Sequence, residues 1–223
     1  MTAWWSSRRA MTQVLAPVLG SMVVLACSGN GASPAAQSTA PSLYDAGITF
    51  SEFLDAADAR EHTWNTNYSA AEVPADLLER ALAIGGSWRL LVVAEDWCGD
   101  SANTIPYVAH LADLLDNLEI RIVDSEVGRP AMEAHPTPDG RAATPTVVLL
   151  DGDGQEAGCF VERPSELQTW FLEQENVLDE DTLYARKYAW YDDDRGLSTV
   201  REVVEMLEGA AAGNPVCSDS PEG

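Results

Sequence analysis

Positive charge is scarce in this chain: 13 Lys and Arg stand against 36 Asp and Glu, a formal net charge of -23 over 223 residues. A surface of that sign repels phosphate backbones, which argues against nucleic acid as a partner. It argues equally against polybasic contact with a membrane. Histidine is scarcer still: His62, His110 and His135 are scattered over three predicted elements. No H-x-x-x-H or C-x-x-C spacing occurs, so no metal is expected, and no motif calls for a cofactor. The acidic turn "DGDG" at 151–154 lacks the run of oxygen ligands and the terminal Glu of a calcium loop, and reads as a hairpin turn. "YDDDRG" at 191–196 reads as a solvated acidic face or an inter-helix cap. No internal repeat is found.

Long apolar runs are also missing, apart from "MTQVLAPVLGSMVVLA" behind Arg8 and Arg9. That stretch is short for a membrane span and broken by Gly and Pro, so it reads as a targeting element. It ends in "VLAC", which resembles the lipobox of bacterial lipoproteins. That resemblance makes 1–26 a lipoprotein signal peptide and Cys27 an acylated first residue. The chain is then exported and held in the cell envelope, on the periplasmic side of a membrane, by its lipid alone. The alternative is a plain secretory signal with a chance cysteine. Residues 27–47, rich in Ser, Ala, Gly and Pro, are expected to be a flexible tether. With Cys27 assigned to lipid, Cys98, Cys159 and Cys217 remain, an odd number in an oxidising compartment. At least one thiol is free, reactive or paired outside the chain.

Residues 48–212 carry the pattern of a globular domain. A helix is predicted over 49–64, with Thr49 and Glu52 spaced as a capping box, and another over 73–86, opened by Pro74 and stopped by Gly85-Gly86. "WRLLVVAED" is a strand buried on both faces. Then come a helix through "SANTIPYVAHLADLLDNL", perturbed by Pro106, and the strand "EIRIVDSE". "RPAMEAH" is a short helix or turn. "TPTVVLLDGDGQEAGCFVE" is a strand pair around a Gly-Asp-Gly hairpin, and "RPSELQTWFLEQ" a closing helix. The order from Trp88 to Gln174 is β-α-β-α-β-β-α, with parallel strands first and an antiparallel hairpin after. Two further helices follow, the second striped by Val200, Val203, Val204 and Leu207 and capped by Thr199 with Glu202. Residues 213–223 are expected to be a disordered tail. Trp64, Trp88, Trp170 and Trp190 read as packing residues.

The chemistry concentrates in "AEDWCGDSANTIPYV". Cys98 is expected beside the N-terminus of a helix starting near Ser101, where unpaired amides and the helix dipole favour a thiolate nucleophile. Glu95, Asp96 and Asp100 crowd the same sulfur with opposing charge. Trp97, directly before the cysteine, would shield it and offer a flat contact surface.

The element order, Trp97-Cys98 at a strand-to-helix junction, and Thr144-Pro145-Thr146 opening a later strand together resemble the thioredoxin fold. "EDWCGDS" and "RKYAWYDDDRGLSTVREVVEML" resemble a bacterial branch of thioredoxin-family proteins with a W-C-G-D motif and extra helices at both ends. The resemblance implies an α/β fold, a central mixed sheet flanked by helices. It implies a cis Pro145 facing Cys98, with the Thr144 backbone pairing to an extended partner. Trp97, Gly99, Asp100, Thr144 and Pro145 would then form the docking surface for protein or low-molecular-weight thiols and disulfides. The dithiol members carry a second cysteine where this chain has Ser101, so the intramolecular resolving step is missing there. Ser101 is expected to hydrogen-bond the Cys98 sulfur. The buried acid of thioredoxins has no counterpart near Val92. Cys159, on the strand next to the one that Pro145 opens, is a candidate resolving thiol, with a small buried core residue as the plain reading. Two functions stand: monothiol exchange through mixed disulfides, or a binding module that has lost turnover.

Overall fold

The computed structural model describes residues 39–217. Nine helices and five strands are present among them. The chain opens with three helices, α1 (Ala40–Ala46), α2 (Phe50–Ala56) and α3 (Glu61–Ala70), and then α4 (Ala75–Leu82). The central unit is β1 (Trp88–Val93), α5 (Gly99–Asp113), β2 (Leu118–Val123), α6 (Arg129–Ala134), β3 (Thr146–Leu150), β4 (Glu156–Val161) and α7 (Ser165–Gln174). After it come α8 (Glu180–Asp194), α9 (Leu197–Ala211) and a two-residue strand β5 (Val216–Cys217).

The strands line up in the order β2-β1-β3-β4-β5. β1 runs parallel to β2 and antiparallel to β3, placing Val92 opposite Ile122 on one side and Val147 on the other. β4 pairs antiparallel to β3, with Val148 opposite Cys159. The continuous apolar run of β1 has its cause in this position. Leu90 and Val92 face one apolar layer, together with Trp64, Ile105, Leu111 and Val203. Leu91 and Val93 face the other, with Tyr44, Met132 and Val148. A strand covered on both faces has no polar side to display. The β-α-β-α-β-β-α order and the mixed sheet between helices agree with the expected fold class.

Four local readings change. The end of the expected tether is helical: in α1, Ala40 and Tyr44 are buried against the sheet, and the Tyr44 hydroxyl donates to Glu119 Oε2 at 3.0 Å. Ala40, Leu43 and Tyr44 together dock a segment otherwise composed like a linker. The single helix expected over 49–64 is two, α2 and α3, separated at 57–60. The Thr49–Glu52 capping box of α2 does form. The break exists because Asp96 Oδ2 accepts from the backbone N–H groups of Asp58 and Ala59, both at 2.9 Å, drawing the chain out of the helix. Arg60 then enters α3 in the left-handed region at φ 51°.

Thr199 and Glu202 do not form a capping box. Thr199 is fully buried inside α9, Gly196 occupies the cap, and Asp194 accepts from the Ser198 N–H and hydroxyl instead. The predicted apolar stripe Val200, Val203, Val204 and Leu207 is buried as expected. Finally, part of the expected tail is a strand: Val216 and Cys217 pair in parallel with Gly158 and Cys159. A Cβ on Gly158 would lie 2.6 Å from Met206 Cγ and 2.7 Å from the Val216 carbonyl oxygen, so the close approach of α9 and β5 needs glycine there.

Pro106 sits inside α5 without ending it. Its missing N–H would strand the carbonyl of Ala102, one turn earlier. Asn67 on α3 repairs that loss, donating its amide Nδ2 to Ala102 O at 2.8 Å. The N-terminal helices are thereby tied to the helix that carries the candidate site.

Candidate active site

Cys98 occupies the N-cap of α5, with extended backbone at φ -73° and ψ 120°. α5 therefore begins at Gly99, two residues before the start expected at Ser101. The Cys98 thiol donates to the carbonyl oxygen of Thr144 at 3.2 Å. The Thr144–Pro145 bond is cis. The sulfur lies just beneath the surface, its residue 9% exposed, while Trp97 beside it is 60% exposed. The structure thus brings Cys98 against the Thr144–Pro145 turn, with Trp97 exposed beside it in the chain.

Trp97 and Gly99 are held by the helices outside the central unit. The Arg60 guanidinium donates from Nε to the Trp97 carbonyl oxygen at 2.8 Å and from Nη2 to the Tyr188 hydroxyl at 3.4 Å. The Trp64 indole donates to Asp96 O at 2.9 Å. A Cβ on Gly99 would lie 2.3 Å from the Tyr188 hydroxyl oxygen, so this position of the motif is glycine because α8 crosses directly over it. Gly99 is consequently a packing point between α5 and α8, half covered by Tyr188, as well as a neighbour of the sulfur.

Asp100 is a correction to its expected place on the docking surface. It is buried, and its carboxylate points into the protein. Oδ2 accepts from Lys187 Nζ at 3.1 Å and Arg163 Nη2 at 3.3 Å, and Oδ1 accepts from the Tyr191 hydroxyl at 2.8 Å. All three partners are buried as well. Burial first, and then the neighbouring Asp100 charge, raise the Tyr191 pKa well above 10.0, so the phenol stays a donor. The Arg163 guanidinium also binds Glu162, which accepts from Arg141 Nη2 at 3.1 Å. Arg141 holds Asp139 below the ordinary carboxylate range through a hydrogen bond. Asp139, Glu162 and Asp100 are thus matched by Arg141, Arg163 and Lys187, three charges against three. Isolated buried ions would be prohibitive, and this matching is what makes the cluster tolerable.

The crowding of Cys98 by acids is also relieved. Glu95 Oε1 accepts from the Ser125 N–H at 2.8 Å and from its hydroxyl. Asp96 serves the break between α2 and α3, and Asp100 serves α8. Each carboxylate next to the motif is committed to a partner away from the sulfur. A buried acid does lie beside the site, then, but on α5 and not near Val92, which is an apolar core residue.

Ser101 is fully buried, and its hydroxyl has no hydrogen-bond partner among the described residues. The expected bond to the Cys98 sulfur is not made. Nor is Cys159 a resolving thiol. It is joined in a disulfide to Cys217, with Cα atoms 4.3 Å apart. The strand order separates β4 from β1 by β3, roughly 10 Å in the sheet plane, which is too far for a bridge to Cys98. Cys98 is the free cysteine among the described residues. Cys27 lies outside them.

Arg60, Arg163, Lys187, Tyr188 and Tyr191 were not anticipated at the site. Lys187 and Tyr191 are four residues apart on α8, which puts them on one helix face. A lysine and a tyrosine at that spacing in an otherwise acidic segment are a usable signal for a buried carboxylate partner. Trp64 and Trp88 are buried and Trp170 and Trp190 are half-buried, consistent with packing.

A family model described as Thioredoxin matches residues 47–180. The chain belongs to the thioredoxin family. Among solved structures, it is similar to a Pseudomonas aeruginosa protein of unknown function, at 24% identity and TM-score 0.59, covering 75% of this chain and 96% of the other. It is also similar to an HIV epitope scaffold, at 22% identity and TM-score 0.58, covering 76% of this chain and 97% of the other. Both likenesses concern the fold. A search of curated proteins finds no match. The thioredoxin-family match ends at 180, so Lys187, Tyr188 and Tyr191 come from an addition to the matched region.

Proposed function

We propose that this protein carries out thiol–disulfide exchange through Cys98 alone. The observation that carries the reading is a free cysteine at a helix N-cap, 3.2 Å from the carbonyl before a cis proline. As a thiolate, Cys98 attacks one sulfur of a partner disulfide, the S–S bond breaks, and the other sulfur leaves as a thiolate. The product is a mixed disulfide on Cys98. Ser101 cannot form the second disulfide that would release it, so an external thiolate attacks the mixed disulfide and restores Cys98. Trp97 and the Thr144 backbone form the contact surface, and an incoming partner displaces the thiol's bond to Thr144. Gly99 and Asp100 support that surface from below. The signal-like segment and Cys27 support export and a lipid anchor in the cell envelope.

The test is incubation with glutathione disulfide followed by intact mass measurement. One glutathione per chain, on Cys98, absent in Cys98→Ala and removed by added thiol, is the expected result. A folded protein that gains no adduct, while its denatured form does, would overturn the reading.

One observation favours a second reading: the sulfur is almost covered while Trp97 stands out. A binding module would use Trp97 and have no need of the sulfur. Cys98→Ala separates the two, because a binding module keeps its partner and an exchange protein loses its covalent adduct.

A further inference from the structure

The molecule has a second cluster of sulfur and nitrogen ligands, remote from Cys98 and independent of the function proposed for it. One ring nitrogen of His135 and the sulfurs of Cys159 and Cys217 all lie within 4.8 Å of one another. The three come from separate parts of the chain: His135 directly follows α6, Cys159 is on β4, and Cys217 is on β5. His135 Nε2 is also 3.1 Å from Glu156 Oε2, and their side chains are only 15% and 31% exposed. A carboxylate on the ring nitrogen that does not bind metal is the usual support of a histidine ligand; Glu156 holds Nε2, which leaves Nδ1 as the nitrogen for a metal. Cys159 is buried, and Cys217 is half-buried on a two-residue strand at the end of the described chain.

We propose that reduction of the Cys159–Cys217 disulfide creates a binding site for one zinc ion, with Cys159, Cys217 and His135 as ligands and Glu156 orienting the imidazole. A tetrahedral zinc centre with Zn–S bonds of about 2.3 Å puts its two sulfurs about 3.8 Å apart. Two thiols released from one disulfide are already near that separation, with their Cα atoms 4.3 Å apart. The ring nitrogen is near enough that small side-chain rotations complete the set. Thiolate and imidazole together select zinc over the hard cations, which prefer oxygen. The charge change is also suitable, since two thiolates neutralise the ion.

A dithiol supplies two electrons and two protons and becomes a disulfide, while Cys159 and Cys217 become thiols. Zinc then displaces both thiol protons to solvent, and the neutral imidazole adds without proton loss. A disulfide oxidant reverses the sequence: it takes the two electrons from the thiolates, the Cys159–Cys217 bond re-forms, and zinc is released. The disulfide and the metal therefore exclude one another.

The direct test uses the full-length chain carrying Cys27→Ser and Cys98→Ser, so that the only thiols are these two. Reduced with a phosphine, which does not compete for the metal, it should bind one zinc per chain. The oxidised chain should bind less than a tenth of that. Cobalt in place of zinc should give a thiolate-to-cobalt charge-transfer band. His135→Ala should weaken zinc binding by at least tenfold, and Glu156→Gln by roughly tenfold, the range for a ligand's supporting carboxylate. His135→Gln, with circular dichroism as the fold check, replaces His135→Ala if that variant does not fold. Absence of stoichiometric binding by the reduced chain, equal binding by the oxidised chain, or binding indifferent to both His135 substitutions would overturn the proposal.

Discussion

Cys98 stands at a helix end beyond β1, the Cys159–Cys217 pair lies on two strands of the sheet, and they differ in almost everything that governs a sulfur. Cys98 is alone at a helix N-cap, with an exposed tryptophan before it and a serine where a second thiol could have stood. Cys159 and Cys217 are joined across neighbouring strands at the far edge, with an imidazole beside them. The contrast teaches that sequence spacing and spatial pairing are separate matters in this fold. The position three residues after Cys98 is a dead end for electrons, while residues 58 apart in sequence form the bond.

The two sites differ first in what supports them. Lys187→Ala leaves the Asp100 carboxylate buried with half its cations and should cost about 3–5 kcal/mol, the penalty for breaking a buried ion pair. Denaturant unfolding reads it. The site should loosen too, with adduct formation at Cys98 changing in rate, while the Cys159–Cys217 bond is retained. A loss below about 1 kcal/mol would mean that the cluster is not a folding element. Cys217→Ser should come next. Opening a loop of 58 residues removes about 2–4 kcal/mol. Here adduct formation at Cys98 should stay as in the parent, and a matching loss would join two sites that are held to be separate.

Gly99→Ala should cost about 1–3 kcal/mol, the range for overpacking, as its Cβ meets the Tyr188 hydroxyl. Adding Tyr188→Ala should recover part of that by removing the clash. If the double variant is no better than the single one, α8 is not what restricts position 99. A smaller effect lies on the alkaline side. The Tyr191 pKa is raised by burial and by Asp100, and that of Tyr68 is raised to about 12 by its hydrogen bond to Asp113. A raised folded pKa means stability that is intact below the ordinary value of 10.0 and is lost as pH rises toward the folded one. Unfolding free energy should therefore decline above about pH 10, and less steeply in Tyr191→Phe, which has no phenol to ionise. Trp97→Ala should leave stability within about 0.5 kcal/mol, the usual range for a surface change, while slowing adduct formation with a disulfide peptide.

The legible parts of the sequence were those where cause and effect lie close together. The doubly covered β1, the stripe of α9, the Thr49–Glu52 cap and the junction at Trp97-Cys98 are all settled by neighbours within a few residues. The Thr144-Pro145 partner of Cys98 was legible through the family resemblance. What escaped was decided by distant partners. Asp100 looked like a surface acid because Lys187, Arg163 and Tyr191 stand 63 to 91 residues away. Thr199 had the right spacing for a cap, but Asp194 reached Ser198 first and the helix began elsewhere. Cys217 looked like part of a loose end, and only the edge of β4, opened by the missing side chain of Gly158, gives it a place.

Among the described residues, the fold keeps Cys98 apart from the two other cysteine sulfurs, which are joined to each other. The most direct measurement is a non-reducing peptide map of the oxidised protein, alkylated under denaturing conditions. It should show the Cys159 and Cys217 peptides linked and Cys98 carrying the alkyl label. A peptide linking Cys98 to Cys159 or Cys217 would contradict the account, for it would give this site the internal partner that Ser101 denies it.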